Sequence, residues 1–377
     1  MAISTTIGMT IIPFLITDSL GLSLLILGLI EGSTEFLSNC FRLLNGVLFD
    51  KIKNKRTIFV CSTGLAFISK LVLLIFNPWA ILGSKILERI SNGTFASPRD
   101  AYIAANAKDK GIALAFLNVT KALGCILGPL IVSVSTIYLG NLRDNLHFFI
   151  LLSCSLSFPA FLLSHRLNIK EIPLTPFSFK EIKGVFKKIT PVLVLSFLFF
   201  LGRFNDGILM MYLKEKGFPE WFYLSTIAIF NSIMIISSPI VGKLIDRNYM
   251  NIALYIAIGC LAVYNVCFFN LEWLPWPLAI IGLLGWGIQR SAGQIVCASL
   301  VFRSVSKENY GTAIGLFYVL SGFASMLSSF LSGYLANYNF KAIFVFSGLF
   351  AFLALCVASM LLSKGLGSFK VPLITTQ

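Results

Sequence analysis

Charged side chains occur inside the apolar stretches of this sequence, at spacings that place several of them on one face of a helix. Between residues 22 and 48, Glu31 and Glu35 are four residues apart, and Arg42 follows seven residues later. Such spacings line up along one side of an α-helix. Two carboxylates one turn apart in a medium of low dielectric constant do not both ionise easily, so one of them is expected to hold a proton near neutral pH.

A second stripe lies between residues 79 and 106, where Lys85, Glu88 and Arg89 share one helix face. Because arginine does not lose its charge, Arg89 could stabilise a deprotonated carboxylate or hold an anionic substrate. Two polar stripes on separate helices favour a water-filled path through the protein. The alternative is internal salt bridging, for example between Glu88 and Lys85.

Four further polar residues complete the predicted substrate and proton pathway. They lie in other apolar stretches: Lys121 in the stretch 112–136, Asp206 in 191–213, and Gln289 and Arg290 in 276–301. The sequence has no Walker motif, no zinc-type histidine pair and no pair of aspartates spaced to bind a metal. We therefore predict no catalytic residues, no metal site and no cofactor, and an enzymatic function is disfavoured.

The elements that carry these residues are predicted to be membrane helices. Hydrophobic residues make up 57% of the chain and charged residues only 12%, with a mean hydropathy of +0.86, whereas charged residues form about a quarter of a soluble domain. We count twelve apolar runs, which are too long and too uniformly apolar for the strands of a barrel. The predicted fold is an all-α membrane protein with twelve transmembrane helices in two pseudo-symmetric six-helix bundles.

Basic residues are concentrated in alternate turns between these runs. The formal net charge is +14, and by the positive-inside rule this distribution places both termini and the segment 166–190 in the cytoplasm. The charge therefore reflects orientation in a lipid bilayer of the inner or plasma membrane and does not indicate nucleic-acid binding. The predicted domains are bundles at 1–165 and 191–377, joined by a cytoplasmic linker at 166–190.

The first apolar run begins at the initiating methionine and contains Pro13. The first helix is therefore expected to be short or to lack its start.

Two similar halves are indicated by repeated motifs. The segment from Gly46 through Asp50 to Arg56 is repeated in shorter form from Gly242 through Asp246 to Arg247, 196 positions later. In the first copy, Asp50 can cap or pair at a helix end while the basic cluster pairs with the neighbouring bundle. Contacts of this kind would have to break in any motion of one half against the other, so we interpret both copies as a conformational motif.

Glycines form another group of candidate residues. Gly124, Gly128 and Pro129 lie in the fifth apolar run, and Gly311 and Gly315 open the eleventh. Glycines four residues apart let neighbouring membrane helices approach closely. We expect these positions to serve helix packing.

On these motifs the chain resembles the major facilitator superfamily over essentially its whole length. The segment from Gly46 to Arg56 looks like the family's cytoplasmic motif between helices two and three, and the later copy like its counterpart between helices eight and nine. Arg89, followed by Asn92 and Gly93, is similar to a fourth-helix motif whose arginine is associated with proton coupling. The run from Gly124 to Pro129 is similar to a fifth-helix motif typical of antiporters.

A closer resemblance is to a bacterial permease subgroup with few assigned substrates. The residues that carry it run from Gly28 to Glu35 and from Arg89 to Ala101. This chain departs from the subgroup's pattern at three positions, with Asn92 and Phe95 in place of basic residues and Lys121 in place of an acidic one.

The resemblance implies a secondary transporter that moves a small solute by rocking its halves around a site near the membrane midplane. Protons are the expected coupling ion, and the antiporter-like glycines favour export. The excess of basic residues within the helices instead favours uptake of an anionic metabolite. The departures from the family pattern leave a third possibility, a sensor or partner-binding protein of this fold that transports nothing.

Overall fold

The computed structural model describes residues 1–51, 55–106, 110–166, 182–305 and 310–363, and all regular secondary structure in these ranges is helical. The helices are α1 (Ala2–Phe14), α2 (Leu24–Lys51), α3 (Lys55–Leu73), α4 (Pro78–Asn106), α5 (Lys110–Leu139), α6 (Leu146–Ser164), α7 (Ile182–Leu201), α8 (Asp206–Glu215), α9 (Glu220–Asp246), α10 (Met250–Phe269), α11 (Pro275–Arg303), α12 (Tyr310–Ala336) and α13 (Phe340–Ser363). A π-helical turn, Leu15–Ser19, extends α1, and a 3-10 turn, Leu142–Asn145, precedes α6.

Ten segments of the described chain are long and apolar enough to cross a membrane. One combines α1 with its π-helical turn, and another combines α7 with α8. Neither α4, which carries one of the charged stripes, nor α11 is among the ten. The chain is a multi-pass, all-helical membrane protein in the residues that the structure describes.

The predicted uninterrupted helix at 191–213 is wrong, because the structure breaks it. Helix α7 ends at Leu201 and α8 begins at Asp206, which leaves Arg203 in the break. Asn205 caps the new helix, since its side-chain oxygen accepts a hydrogen bond from the Gly207 amide at 2.7 Å. Asparagine is among the best residues at this position because it satisfies an amide that has no partner within the helix.

The helices form two compact units. The first consists of the described parts of Met1–Phe177, Phe204–Ser232 and Gly322–Ile343, and the second of those of Ser178–Arg203, Ile233–Ser321 and Phe344–Gln377. The first unit therefore contains α1–α6 together with α8 and parts of α9, α12 and α13. The second contains α7, α10, α11 and the remaining parts of those divided helices.

Within the first unit, α1 packs against α5 and α6. A Cβ atom on Gly124 would lie 2.5 Å from the Cβ atom of Ala2, and one on Gly128 would lie 2.1 Å from the Thr6 hydroxyl oxygen. The Ser4 and Ser153 hydroxyls each donate to the other residue's carbonyl, at 2.7 and 2.9 Å. Small residues thus let α1 and α5 touch along their backbones.

Also within the first unit, α2 lies directly against α12. A Cβ atom on Gly28 would lie 2.2 Å from the Ser329 carbonyl oxygen, and one on Gly333 would lie 2.5 Å from the Leu24 carbonyl oxygen. The Leu24 amide donates to the Asn337 side-chain oxygen at 3.1 Å. The start of α2 and the end of α12 are therefore in direct backbone contact, which we call the closed contact. The charge pattern predicts that these two helix ends face outward.

The predicted orientation can be tested at the two ends of α6. In a cysteine-free background, Asn141→Cys is expected to react with a membrane-impermeant maleimide in intact cells, because the positive-inside rule places this exposed residue outside. His165→Cys, at the exposed opposite end of α6, is expected to react only after the cells are opened. The reverse labelling pattern would show that the orientation is inverted.

Candidate functional site

A buried ionic cluster lies in the first unit, where α2, α3 and α4 meet. Its centre is Glu31 on α2, whose carboxylate lies 2.6 Å from the Lys85 ammonium and 3.8 Å from the Arg89 guanidinium. The Lys85 side chain is fully buried. The i, i+4 stripes on α2 and α4 thus face each other, and two cations on α4 hold one carboxylate on α2.

Glu88 has a different partner from the one that the sequence suggested. Its carboxylate lies 3.0 Å from the ammonium group of Lys70 on α3, and both side chains are buried. The expected pairing of Glu88 with Lys85 on the same helix is not what forms, because Lys85 turns towards Glu31 on α2. Both contacts join oppositely charged groups within 3.0 Å and are ion pairs.

Lys70 was missing from the predicted pathway residues, although it forms the buried end of the cluster. The Lys70 ammonium group lies close to Gly8 of α1, since a Cβ atom on Gly8 would be 3.0 Å from its nitrogen. A lone lysine in an apolar helix has no stripe around it. The one signal in the sequence was the cost of its charge in lipid, which requires an interior partner.

The cluster opens towards Glu35. This carboxylate lies 2.9 Å from the Arg89 guanidinium, and its side chain is 43% exposed, against 14% for Arg89 and 8% for Glu31. The described cluster thus contains three cations and three carboxylates. The exposed fraction of their side chains is low at the Lys70 end and highest at Glu35. Proton exchange with water is therefore easiest at Glu35.

Asp206 approaches the same cluster from α8. Arg89 lies within electrostatic reach of four carboxylates, those of Glu35, Glu31, Glu88 and Asp206. Asp206 is the first residue of α8, a position where a carboxylate is favoured by the helix dipole. The break after α7 thus places a fourth acidic group near Arg89.

The structure does not bring all predicted pathway residues to this cluster. Lys121 is exposed on α5, one turn before Cys125. Gln289 and Arg290 lie on α11 in the second unit, where Gln289 is fully buried and Arg290 is half-buried. Arg42 lies on α2 in a stretch whose side chains fall outside the described part of the structure.

The predicted conformational motif is described only in part. Gly46 and Asp50 lie in that same stretch of α2, so their packing also falls outside the described part, whereas Arg56 is exposed at the start of α3. In the second copy, Asp246 and Arg247 are exposed at the end of α9. A Cβ atom on Gly242 would meet no atom of the described residues within 4 Å.

The predicted packing residues differ in how closely they are surrounded. Gly124 and Gly128 lie against α1, as described above, and Pro129 is buried within α5. Gly315 is buried in α12. Gly311 lies at the start of α12, where the packing is outside the described residues.

An ion pair outside this cluster, also in the first unit, was not predicted. The ammonium group of Lys214, at the end of α8, contacts the carboxylate of Asp18 in the π-helical turn after α1. The Thr17 hydroxyl oxygen lies 3.1 Å from the Asp18 carboxylate and 3.3 Å from the Met211 sulfur. The ammonium of Lys214 lies 5.6 Å from the ring centre of Phe14. These contacts join α1 to α8.

The pair between Lys70 and Glu88 gives a test of stability. Lys70→Met leaves a buried carboxylate without its cation, which typically costs about 3–5 kcal/mol, so the thermal midpoint of unfolding is expected to fall clearly. In Lys70→Met/Glu88→Met both charges are removed, and most of the lost stability is expected to return. A single variant as stable as the wild type would show that the pair does not stabilise the fold.

Comparisons with known proteins agree with this architecture. A family model, the Major Facilitator Superfamily, matches residues 1–301. An uncharacterised MFS-type transporter of Methanocaldococcus jannaschii is 26% identical over 376 residues, which cover 93% of this chain and 89% of that protein.

Solved structures of transporters share the fold. The nucleoside transporter NupG superimposes with a TM-score of 0.73 at 15% identity, covering 98% of this chain and all of that one. A peptide transporter in complex with sulfate superimposes with a TM-score of 0.75 at 15% identity, covering 97% of this chain and 92% of the other.

Proposed function

This chain belongs to the major facilitator superfamily, and on that basis we propose that it is a secondary active transporter that moves a small solute by alternating access and couples this movement to protons. Its twelve membrane segments would be the ten apolar segments together with α4 and α11. We propose that these form two six-helix bundles of residues 1–165 and 191–377, joined by a cytoplasmic linker at 166–190. Transport of this kind needs no enzymatic reaction.

The observation that carries the proposal is the unequal environment of the two carboxylates on α2. Glu31 is held by Lys85 and Arg89, and its side chain is 8% exposed. Glu35 contacts Arg89 at 2.9 Å and is 43% exposed. Glu35 is the more accessible of the two carboxylates, so we propose that it is the one that takes up and releases a proton.

Arg89 then links the proton to the rest of the cluster. Protonation of Glu35 removes one of the charges that hold the guanidinium group, whereas the charge of arginine itself does not change. The guanidinium is then drawn towards its remaining carboxylates, Glu31, Glu88 and Asp206. Because Asp206 begins α8 while Glu31 and Glu88 lie on α2 and α4, this shift would alter how strongly the helices are held together.

The closed ends of α2 and α12 and the two cytoplasmic turns fit the same mechanism. We propose that the contact between α2 and α12 opens in the other state of the cycle, and that the turn from Gly46 to Arg56 and its copy from Gly242 to Arg247 form and break contacts as it does so. Asp50 and Asp246 are the carboxylates of these turns.

We propose export as the direction, since the fifth-helix run from Gly124 to Pro129 resembles the motif typical of antiporters. Uptake of an anionic metabolite is the second candidate. It is favoured by the charge of the second unit, whose described residues hold the half-buried Arg203 and Arg290 but only two carboxylates, Asp246 and Glu272, both outside the helix interiors.

Solute counterflow in proteoliposomes tests the proposal directly. Vesicles containing the full chain and loaded with unlabelled solute are offered a panel of labelled nucleosides, dipeptides and organic acids, and at least one is expected to accumulate transiently. A trapped pH-sensitive dye is expected to report proton movement driven by that solute. If no solute exchanges, the protein is not a transporter of these classes, and the sensor alternative is favoured.

A further inference from the structure

A hydrogen-bonded group of side chains in the second unit surrounds the end of α7. The Gly202 carbonyl oxygen accepts a hydrogen bond from the Tyr264 hydroxyl at 3.2 Å and another from the Ser347 hydroxyl. The Asn265 side-chain amide donates to the Ser347 oxygen at 2.8 Å. Residues of α10 and α13 thus hold the carbonyl group at which α7 stops.

Helix geometry places Gln289 of α11 near this group. On α11, Gly293 faces Phe199 of α7, since a Cβ atom there would lie 2.1 Å from the Phe199 ring, and Cys297 lies within hydrogen-bonding reach of Ser196. Gln289 precedes Gly293 by one helical turn on the same face. Because successive contacts run in opposite directions along the two helices, Gln289 falls level with the end of α7, near Gly202.

The Gln289 carboxamide is fully buried, and neither its oxygen nor its nitrogen has a hydrogen-bond partner among the residues that the structure describes. Most buried polar side chains are satisfied, and one that is not calls for an explanation. A carboxamide offers an acceptor and a donor side by side. Its natural complement is another group with adjacent donor and acceptor atoms, such as an amide.

Two basic side chains of the second unit lie near this hydrogen-bonded group. Arg203 and Arg290 both lie within electrostatic reach of the Tyr264 hydroxyl, and no carboxylate lies in a helix interior in the described residues of this unit. Both arginines also make other contacts. A ligand that reached this region would meet two guanidinium groups and the Gln289 carboxamide.

We propose that Gln289, Arg203 and Arg290 form a subsite for a small organic anion that carries both a carboxylate and an amide. The arginines attract the carboxylate, and Gln289 pairs with the amide. This assignment rests on the proposed transport function, of which it names the substrate class. Since Gln289 is fully buried in this structure, the proposed subsite fills only in another state of the transport cycle.

Two probes of the same length separate these contributions. N-acetylglycine has a carboxylate and an amide, whereas pentanoate has the same carboxylate and chain length without the amide. Calorimetric titration of the purified full chain is expected to show N-acetylglycine binding at least about tenfold more tightly, because an unpaired amide in a site built for it is penalised. N-acetylglycinamide, which has no charge, is expected to bind more weakly than N-acetylglycine.

Gln289→Met keeps the length of the side chain and removes both hydrogen-bonding atoms, so it is expected to abolish the preference for N-acetylglycine over pentanoate. Gln294→Met is the matched control, since Gln294 lies on the same helix and is exposed; it should keep the preference. Equal binding of both probes by the wild type would overturn the proposal, as would a preference retained in Gln289→Met. The wild-type comparison holds even if that variant does not fold.

Counterflow distinguishes a failure of this inference from a failure of the proposed function. If some other solute exchanges while N-acetylglycine neither binds nor exchanges, the protein is a transporter but the substrate class is wrong. If N-acetylglycine binds with the stated preference and no solute exchanges, the subsite stands and the transport function falls.

Discussion

Glu35→Gln is expected to abolish proton-driven uphill transport while leaving substrate exchange at equilibrium intact. The amide can still accept a hydrogen bond from Arg89, which lies 2.9 Å from the Glu35 carboxylate, but it cannot bind and release a proton. Exchange needs only the movement of loaded protein between its two states, whereas uphill transport needs the proton. The two rates are measured in the same proteoliposomes, with a solute identified by counterflow.

Glu31→Gln is the control for this experiment. Glu31 lies 2.6 Å from a fully buried ammonium group, so its loss leaves Lys85 with less compensation and is expected to lower both the yield and the thermal midpoint of unfolding. Comparison of the two variants at matched thermal stability separates coupling from folding. Full pH-driven uphill transport in Glu35→Gln would show that Glu35 is not the proton site.

Gly28→Ala is expected to block the transport cycle by preventing the closure of α2 on α12. The added methyl carbon would lie 2.2 Å from the Ser329 carbonyl oxygen and 3.1 Å from its carbon. Since carbon atoms pack best about 3.5–4.0 Å apart, the two backbones would have to separate by roughly 1 Å or more. Both exchange and uphill transport are expected to fall at least about tenfold, because an alternating-access cycle needs this closed state.

Gly83→Ala in α4 is the matched control, because a Cβ atom there meets nothing within 4 Å. It is expected to keep the wild-type rate, since alanine is the better helix former. Separation of α2 from α12 can be followed as faster maleimide labelling of a single cysteine at Ser329, a residue that is buried in the closed contact. A wild-type rate in Gly28→Ala would mean that the tight contact is not part of the cycle.

The sequence was sufficient to predict the charged stripes, because a helix repeats every 3.6 residues and charges in membrane helices face the protein interior or a water-filled cavity. Glu31 and Glu35 were predicted to share one stripe, and Lys85 and Arg89 another. In the structure the side chains of the two stripes meet. Their pairing was not predictable. Which carboxylate Lys85 contacts depends on how α2, α3 and α4 are rotated about their axes, and spacing along one helix carries no information on this.

Other differences have identifiable causes. Lys121 was grouped with the pathway residues. A single charged residue does not indicate which face of its helix is polar, and on α5 Lys121 is exposed. The break between α7 and α8 lies inside a continuous apolar run, where hydropathy alone predicts one helix. The local signal was the pair Asn205 and Asp206, since an amide-capping residue followed by an acidic residue is typical of a helix start.

The closed contact between α2 and α12 has a consequence for how the chain is made. During synthesis the glycine-lined face of α2, with Gly28 and Gly32, enters the membrane long before α12 exists, because Ser329 and Gly333 are nearly 300 residues further along the chain. Until then, lipid or a chaperone must cover that face. The first unit draws on both sides of the 167–181 segment, so it is completed only when the last two helices insert. If synthesis stopped before α12, the glycine-lined face of α2 would stay uncovered. Another membrane helix with small residues could then pack against it.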